Sequence, residues 1–110
     1  MFARVATFEG VDAATSQETL DAIRERVTEI LEQLPGWQGA TQMVDERNQK
    51  VVVIQFFDTE ENMEAAEPTF EEMPSRLGPE LAERVAGRRR SVEKFRVLAE
   101  RRVESGAGAR

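Results

Sequence analysis

The sequence predicts an α+β domain in the order βαββαβ: a four-stranded antiparallel sheet with both helices on one face. Three observations predict it. Val51 to Phe57 is apolar at every position but Gln55, which reads as a strand buried on both faces. Asn48-Gln49 places a turn between this strand and an earlier one, giving a hairpin. Two stretches with apolar residues every three or four positions lie on either side of that hairpin, and each has one apolar stripe, so each can cover only one surface. Right-handed crossovers then bring both helices to the same side of the sheet. The chain is too short to supply a second helical layer, and a second copy of the protein is the expected cover for the other face.

The elements follow in order. Phe2 to Phe8 alternates as a strand, with Phe2, Arg4, Ala6 and Phe8 on one side and Ala3, Val5 and Thr7 on the other. Thr15 and Glu18 have the spacing of a capping box, so a helix starts near Ser16. Leu20, Ile23, Val27, Ile30, Leu31 and Leu34 form its stripe, and Pro35-Gly36 should end it. A second strand runs from Trp37 to about Arg47. After the third strand, Asp58 or Thr59 caps a helix whose inward residues are Met63, Ala66, Phe70 and Met73. Pro68 cannot donate a helical hydrogen bond, so the helix should break and restart at Glu67-Pro68. Pro74, Gly78 and Pro79 should break the chain again before a helical turn over residues 80–85 that ends at Gly87. Arg89 to Leu98 closes the sheet. Residues 1–98 thus form one domain, and 99–110 a tail expected to lack order.

Composition excludes several kinds of chemistry. The 110 residues contain no cysteine, histidine or tyrosine, so disulfides, thiolate nucleophiles and the usual protein ligands of haem and zinc are missing. No cofactor and no metal are expected. The amino-terminal residues do not resemble a signal peptide and no apolar run reaches membrane-spanning length, so the expectation is a cytoplasmic protein with no membrane partner. A net charge of −6 argues against nucleic acid as a partner. Basic residues nevertheless crowd late in the chain, at Arg84, Arg88, Arg89, Arg90, Lys94, Arg96, Arg101 and Arg102, while Glu60 to Glu72 is strongly acidic; the basic cluster reads as a solvated edge in preference to a nucleic-acid contact, with the closing strand against an acidic partner as a further alternative.

Leu34-Pro35-Gly36-Trp37-Gln38-Gly39, Phe57-Asp58-Thr59-Glu60-Glu61 and Ser91-Val92-Glu93-Lys94-Phe95-Arg96-Val97, with the short opening strand, resemble the antibiotic biosynthesis monooxygenase family. The resemblance covers roughly residues 2–98. It implies a ferredoxin-like protomer in a dimeric α+β barrel, and activities that include oxidation of polycyclic aromatic polyketides without metal or flavin, haem degradation and quinol oxidation. The haem-degrading branch uses a histidine that this chain lacks. The polyketide-oxidising branch uses asparagine, tryptophan, tyrosine and arginine around an apolar cleft; Asn62 and Trp37 are present here, and tyrosine is absent.

Arg4 and Gln55 are the polar residues inside apolar central strands, and those strands are neighbours in this topology. Together they offer a guanidinium and an amide N–H to an enolate or phenolate oxygen, which marks them, with Asn62, as the catalytic candidates. The structural alternative pairs Arg4 with a carboxylate such as Glu93 and sets Gln55 across a dimer seam. Asn62 equally suits a helix cap. Trp37, Phe57, Met63 and Phe70 are the ligand-binding candidates, each also explicable as core. The functional expectation is a homodimer, joined through the sheet face, with an apolar cleft for a small hydrophobic or aromatic molecule, acting as a cofactor-independent monooxygenase. The alternative is a non-catalytic binding or structural dimer.

Overall fold

A computed structural model of the chain describes residues 1–9, 17–78 and 89–101. The elements are β1 (Phe2–Glu9), α1 (Gln17–Leu31), β2 (Trp37–Asp45), β3 (Lys50–Phe57), α2 (Glu60–Ala65), α3 (Glu67–Leu77) and β4 (Arg89–Arg96). They form one four-stranded sheet in the order β2-β3-β1-β4, with every neighbouring pair antiparallel. This is the ferredoxin-like βαββαβ arrangement predicted from the sequence.

Register assigns the two faces. Phe2 lies opposite Phe57, Arg4 opposite Gln55 and Ala6 opposite Val53, while across β4 the partners are Arg96, Lys94 and Val92. This set faces the helices, since Arg4 reaches Glu67 on α3 and Lys94 reaches Glu64 on α2. Phe57 is fully buried there with Met63 and Ala66, and Phe2, Leu34, Trp37 and Phe70 pack around them. The reverse face carries Ala3, Val5, Val52, Ile54, Phe56, Met43 and Phe95. No described helix covers it, and Phe95 and Met43 are 50% and 48% exposed. The apolar pattern of β3 therefore has one side in the core and one side open in the single chain.

Several local expectations change. α1 stops at Leu31, short of Pro35-Gly36, because the chain tightens into i→i−3 bonds from Gln33 to Ile30 (3.2 Å) and Leu34 to Leu31 (2.9 Å). That turn delivers Leu34 to the core from outside the helix. β2 ends at Asp45, not near Arg47, and the connection to Lys50 spans residues 46–49. Asp45 accepts from Asn48 at both the backbone N–H (3.3 Å) and Nδ2 (2.8 Å), and Gln49 takes the positive φ of 52° that lets the chain return.

The break at Pro68 is present, with the proline in the first turn of α3, but Pro74 does not end that helix, which continues to Leu77. Proline there removes one helical bond, to the Phe70 carbonyl, within a turn of the helix end, where few bonds remain to be lost. β4 ends at Arg96. The Thr15/Glu18 box falls partly outside the described residues; the turn over 80–85, Gly87 and most of the 99–110 tail lie outside them.

Gly36 is needed for two reasons. Its φ is 77°, and a Cβ there would collide with Asp58 Oδ1 and stand 2.5 Å from Asn62 Nδ2. Its carbonyl accepts from the Asp58 N–H at 2.9 Å, pinning the start of the hairpin to the entry of α2. Gly36→Ala should therefore destabilise the fold by about 1–3 kcal/mol from backbone strain, with the displaced side chains adding to it, as measured by urea denaturation.

Candidate functional site

The helix-facing side of β1 and β3 is apolar except for one cross-strand pair, Arg4 and Gln55, which are only 3% and 5% exposed. Each is partly answered. Gln55 Oε1 accepts from Trp37 Nε1 at 2.8 Å. Trp37 is set in position by the Gly36 turn and by pairing with Phe57 at the start of β2, where the register shifts before Gly39. Because the indole N–H fixes which end of the amide is oxygen, the Nε2 group is left as donor, and no described residue accepts from it.

Arg4 Nε donates to Glu67 Oε1 at 2.6 Å and Nη2 to Glu67 Oε2 at 3.4 Å, while the guanidinium carbon sits 3.9 Å from the Phe70 ring centroid. Phe70 meets Phe57 edge to face at 6.5 Å. Nη1 has no acceptor among the described residues. Among the described residues no fully buried side-chain nitrogen or oxygen lacks a partner.

Lys94, the other cross-strand neighbour of Arg4, donates to Glu64 Oε2 at 2.9 Å and stands 3.4 Å from Glu67 Oε1. Lys94 of the basic closing strand thus meets acidic residues of α2 and α3, an internal use for part of that charge. Partial burial pushes the Glu67 carboxyl up, but Arg4 and then Lys94 outweigh it and hold the group below its ordinary range. Burial pulls Lys94 down, and its bonds to Glu64 and Glu67 more than restore it.

The structure brings together some of the sequence candidates and separates others. Arg4 and Gln55 are adjacent, but Arg4 pairs with Glu67 and not Glu93, and Gln55 bonds Trp37 within its own chain. Asn62 stands apart from them in its contacts. Its backbone N–H donates to the Thr59 cap at 3.1 Å and its Nδ2 to Asp58 Oδ1 at 2.8 Å, a bond that lowers the Asp58 pKa. Here it closes the α2 entry against Gly36. Phe57 and Met63 are buried in the core, whereas Trp37 and Phe70 keep partial exposure. Glu67 was missed by sequence reasoning. Its place beside Pro68 marked a helix start, and only the packing of α3 across β1 shows what its carboxylate does.

No family model matches the sequence, and no curated protein does. Solved structures do match. The ActVA-Orf6 monooxygenase of Streptomyces coelicolor, in complex with nanaomycin D, aligns with TM-score 0.65 and 20% identity over 94% of this chain and 92% of its own. The chain has the antibiotic biosynthesis monooxygenase fold. A variant of SnoaB, a cofactor-independent oxygenase from Streptomyces nogalater, aligns with TM-score 0.61 and 14% identity over 90% and 94% of the two chains. A variant of MhuD with two manganese protoporphyrin IX molecules bound per active site gives 0.64 and 16% over 94% and 100%. At these identities the likeness to the antibiotic biosynthesis monooxygenases is one of fold.

The charge pairs give a pH signature. With its folded pKa lowered, Glu67 adds stability above its ordinary value of 4.5, and this is lost as pH falls through the folded value. Lys94, raised, adds stability below 10.5 that is lost as pH rises through its folded value. The stability gap between wild type and Glu67→Gln should therefore be larger at about pH 7 than at about pH 3 in urea denaturation, narrowing as the wild-type carboxylate is protonated.

Proposed function

We propose that this protein is a homodimeric, cofactor-independent monooxygenase for a flat, electron-rich aromatic or enolisable substrate. The observation that carries the reading is the pair of spare donors, Arg4 Nη1 and Gln55 Nε2, on adjacent strands at the edge of an aromatic core. Donors fixed in this way stabilise an enolate or phenolate oxygen more than water does, because they need no reorganisation as charge develops. Trp37 and Phe70 supply apolar surface beside them. The fold shared with ActVA-Orf6 and SnoaB supports an oxygenase, and the nanaomycin D complex of the former supports a polycyclic aromatic ligand. The porphyrin of MhuD is not carried over, since this chain has no histidine, cysteine or tyrosine to hold the iron.

The chemistry needs only substrate and dioxygen. A substrate CH₂ group, as its enolate, supplies four electrons; one oxygen atom becomes the product carbonyl and the other leaves as water. The protein's part is to orient the ring, exclude solvent and hold the oxygen that carries the negative charge. A second reading, a binding dimer without turnover, is favoured by one observation: Glu67 already offsets the charge of Arg4. Oxygen uptake with an anthrone separates the two, since binding without uptake supports the second.

Trp37 is the only tryptophan in the chain, so its emission reports on the site. Titration with nanaomycin D should quench it, and Gln55→Leu should weaken that binding by about 10- to 100-fold with an unchanged circular dichroism spectrum, the loss expected for a hydrogen bond to a charged or strongly polar oxygen. Unaltered affinity in Gln55→Leu would remove Gln55 from the site.

The uncovered face supports the dimer. Phe95 and Met43 are exposed and Val5, Ile54 and Phe56 half-buried on this one face, an apolar grouping of the kind that marks an interaction surface. Sedimentation at micromolar concentration should give a dimer, and Phe95→Glu should shift it to monomer, because pairing two such faces would bury two unpartnered carboxylates. A wild-type monomer would refute this part.

A further inference from the structure

One of the two paired-donor edges of the Arg4 guanidinium is already engaged. Glu67 takes Nε at 2.6 Å and Nη2 at 3.4 Å, side-on, while Phe70 lies against the guanidinium plane and restrains its rotation. Among the described residues Nη1 alone of the three nitrogens has no acceptor. Lys94 and Glu64 complete a set of two cations and two anions, so the cluster as a whole carries no net charge for a ligand to neutralise.

We infer that Glu67 is a positioning residue that restricts the site to ligands presenting a single carbonyl or phenolate oxygen, and excludes carboxylates and phosphates. This rests on the reading of Arg4 and Gln55 as the ligand-binding donors. The physical basis is the geometry of recognition. Carboxylates and phosphates are held best by two parallel N–H donors of one guanidinium; Glu67 occupies the Nε/Nη2 edge, and on the remaining Nη1/Nη2 edge Nη2 is already shared with Glu67. A full anionic charge entering beside Glu67 would also be desolvated against a carboxylate, with no uncompensated cation to offset the cost. A single oxygen needs only Nη1 and Gln55 Nε2, and a ligand whose charge is spread over an aromatic system loses less hydration on entering.

Two probes with one ring system test this. 2-Naphthol presents one oxygen and 2-naphthoate a carboxylate, and quenching of Trp37 emission measures both. The wild-type protein should bind 2-naphthol at least about tenfold more tightly than 2-naphthoate, the difference one charge-assisted bond makes. In Glu67→Gln the preference should shrink or invert, because the fork and the charge of Arg4 are released for the carboxylate. Equal wild-type affinities, or a preference unchanged in Glu67→Gln, would overturn the inference while leaving the donor site standing. Failure of both probes and of nanaomycin D to bind would overturn the site and the inference together. If Glu67→Gln does not fold, the wild-type ratio and the Arg4 Nε–H resonance decide: an Nε–H slow to exchange with water supports the lock, and fast exchange refutes it.

Discussion

A guanidinium that is only 3% exposed must be answered by the protein, and here the answer is Glu67. The bond ties the middle of β1 to the first turn of α3 and so fixes where the helical layer sits on the sheet. The α2–α3 break is part of the same constraint. Ala66 caps α3 without a side-chain hydrogen bond, Pro68 needs no donor partner, and Glu67 between them is turned toward Arg4. With Lys94 and Glu64 added, one polar cluster links β1, β4, α2 and α3. Apolar packing of Phe57, Met63 and Ala66 supplies the burial, but it is nondirectional; the ion pairs set orientation.

A second constraint runs along the other side of the sheet's centre. Gly36 allows Asp58 and Asn62 to close on the chain, which seats Trp37 against Gln55. Arg4 and Gln55 thus receive support from opposite directions, Glu67 from the helices and Trp37 from β2. Each keeps a donor nitrogen, Nη1 of Arg4 and Nε2 of Gln55, with no acceptor among the described residues. A purely structural pair would be expected to use the available donors, and this surplus is why the same two residues carry both the stability and the proposed chemistry.

The order of elements was legible because it depends on local periodicity. The apolar run of Val51–Phe57, the turn residues before it and the restart at Pro68 each reflect backbone geometry that any context would impose. Ends of elements were less legible. Leu34, one turn past the end of α1, packs against the core around Phe57, a partner distant in sequence, whereas Pro74 is tolerated inside α3 because its lost bond falls near the helix end.

For the candidate site, the sequence by itself determined that Arg4 and Gln55 are anomalous, since a charged or amide side chain in a central strand must find a partner, and that haem and thiol chemistry lack their ligands. Only the tertiary structure decided who the partners are. Glu67 lies 63 positions from Arg4 and Trp37 lies 18 from Gln55, and no local pattern links either pair. It also assigned Asn62 to the α2 entry and sealed Phe57 and Met63 in the core. The physical reason is that short-range periodicity fixes which face a side chain takes, while its hydrogen-bond partner depends on the register of strands and the position of a helix across them.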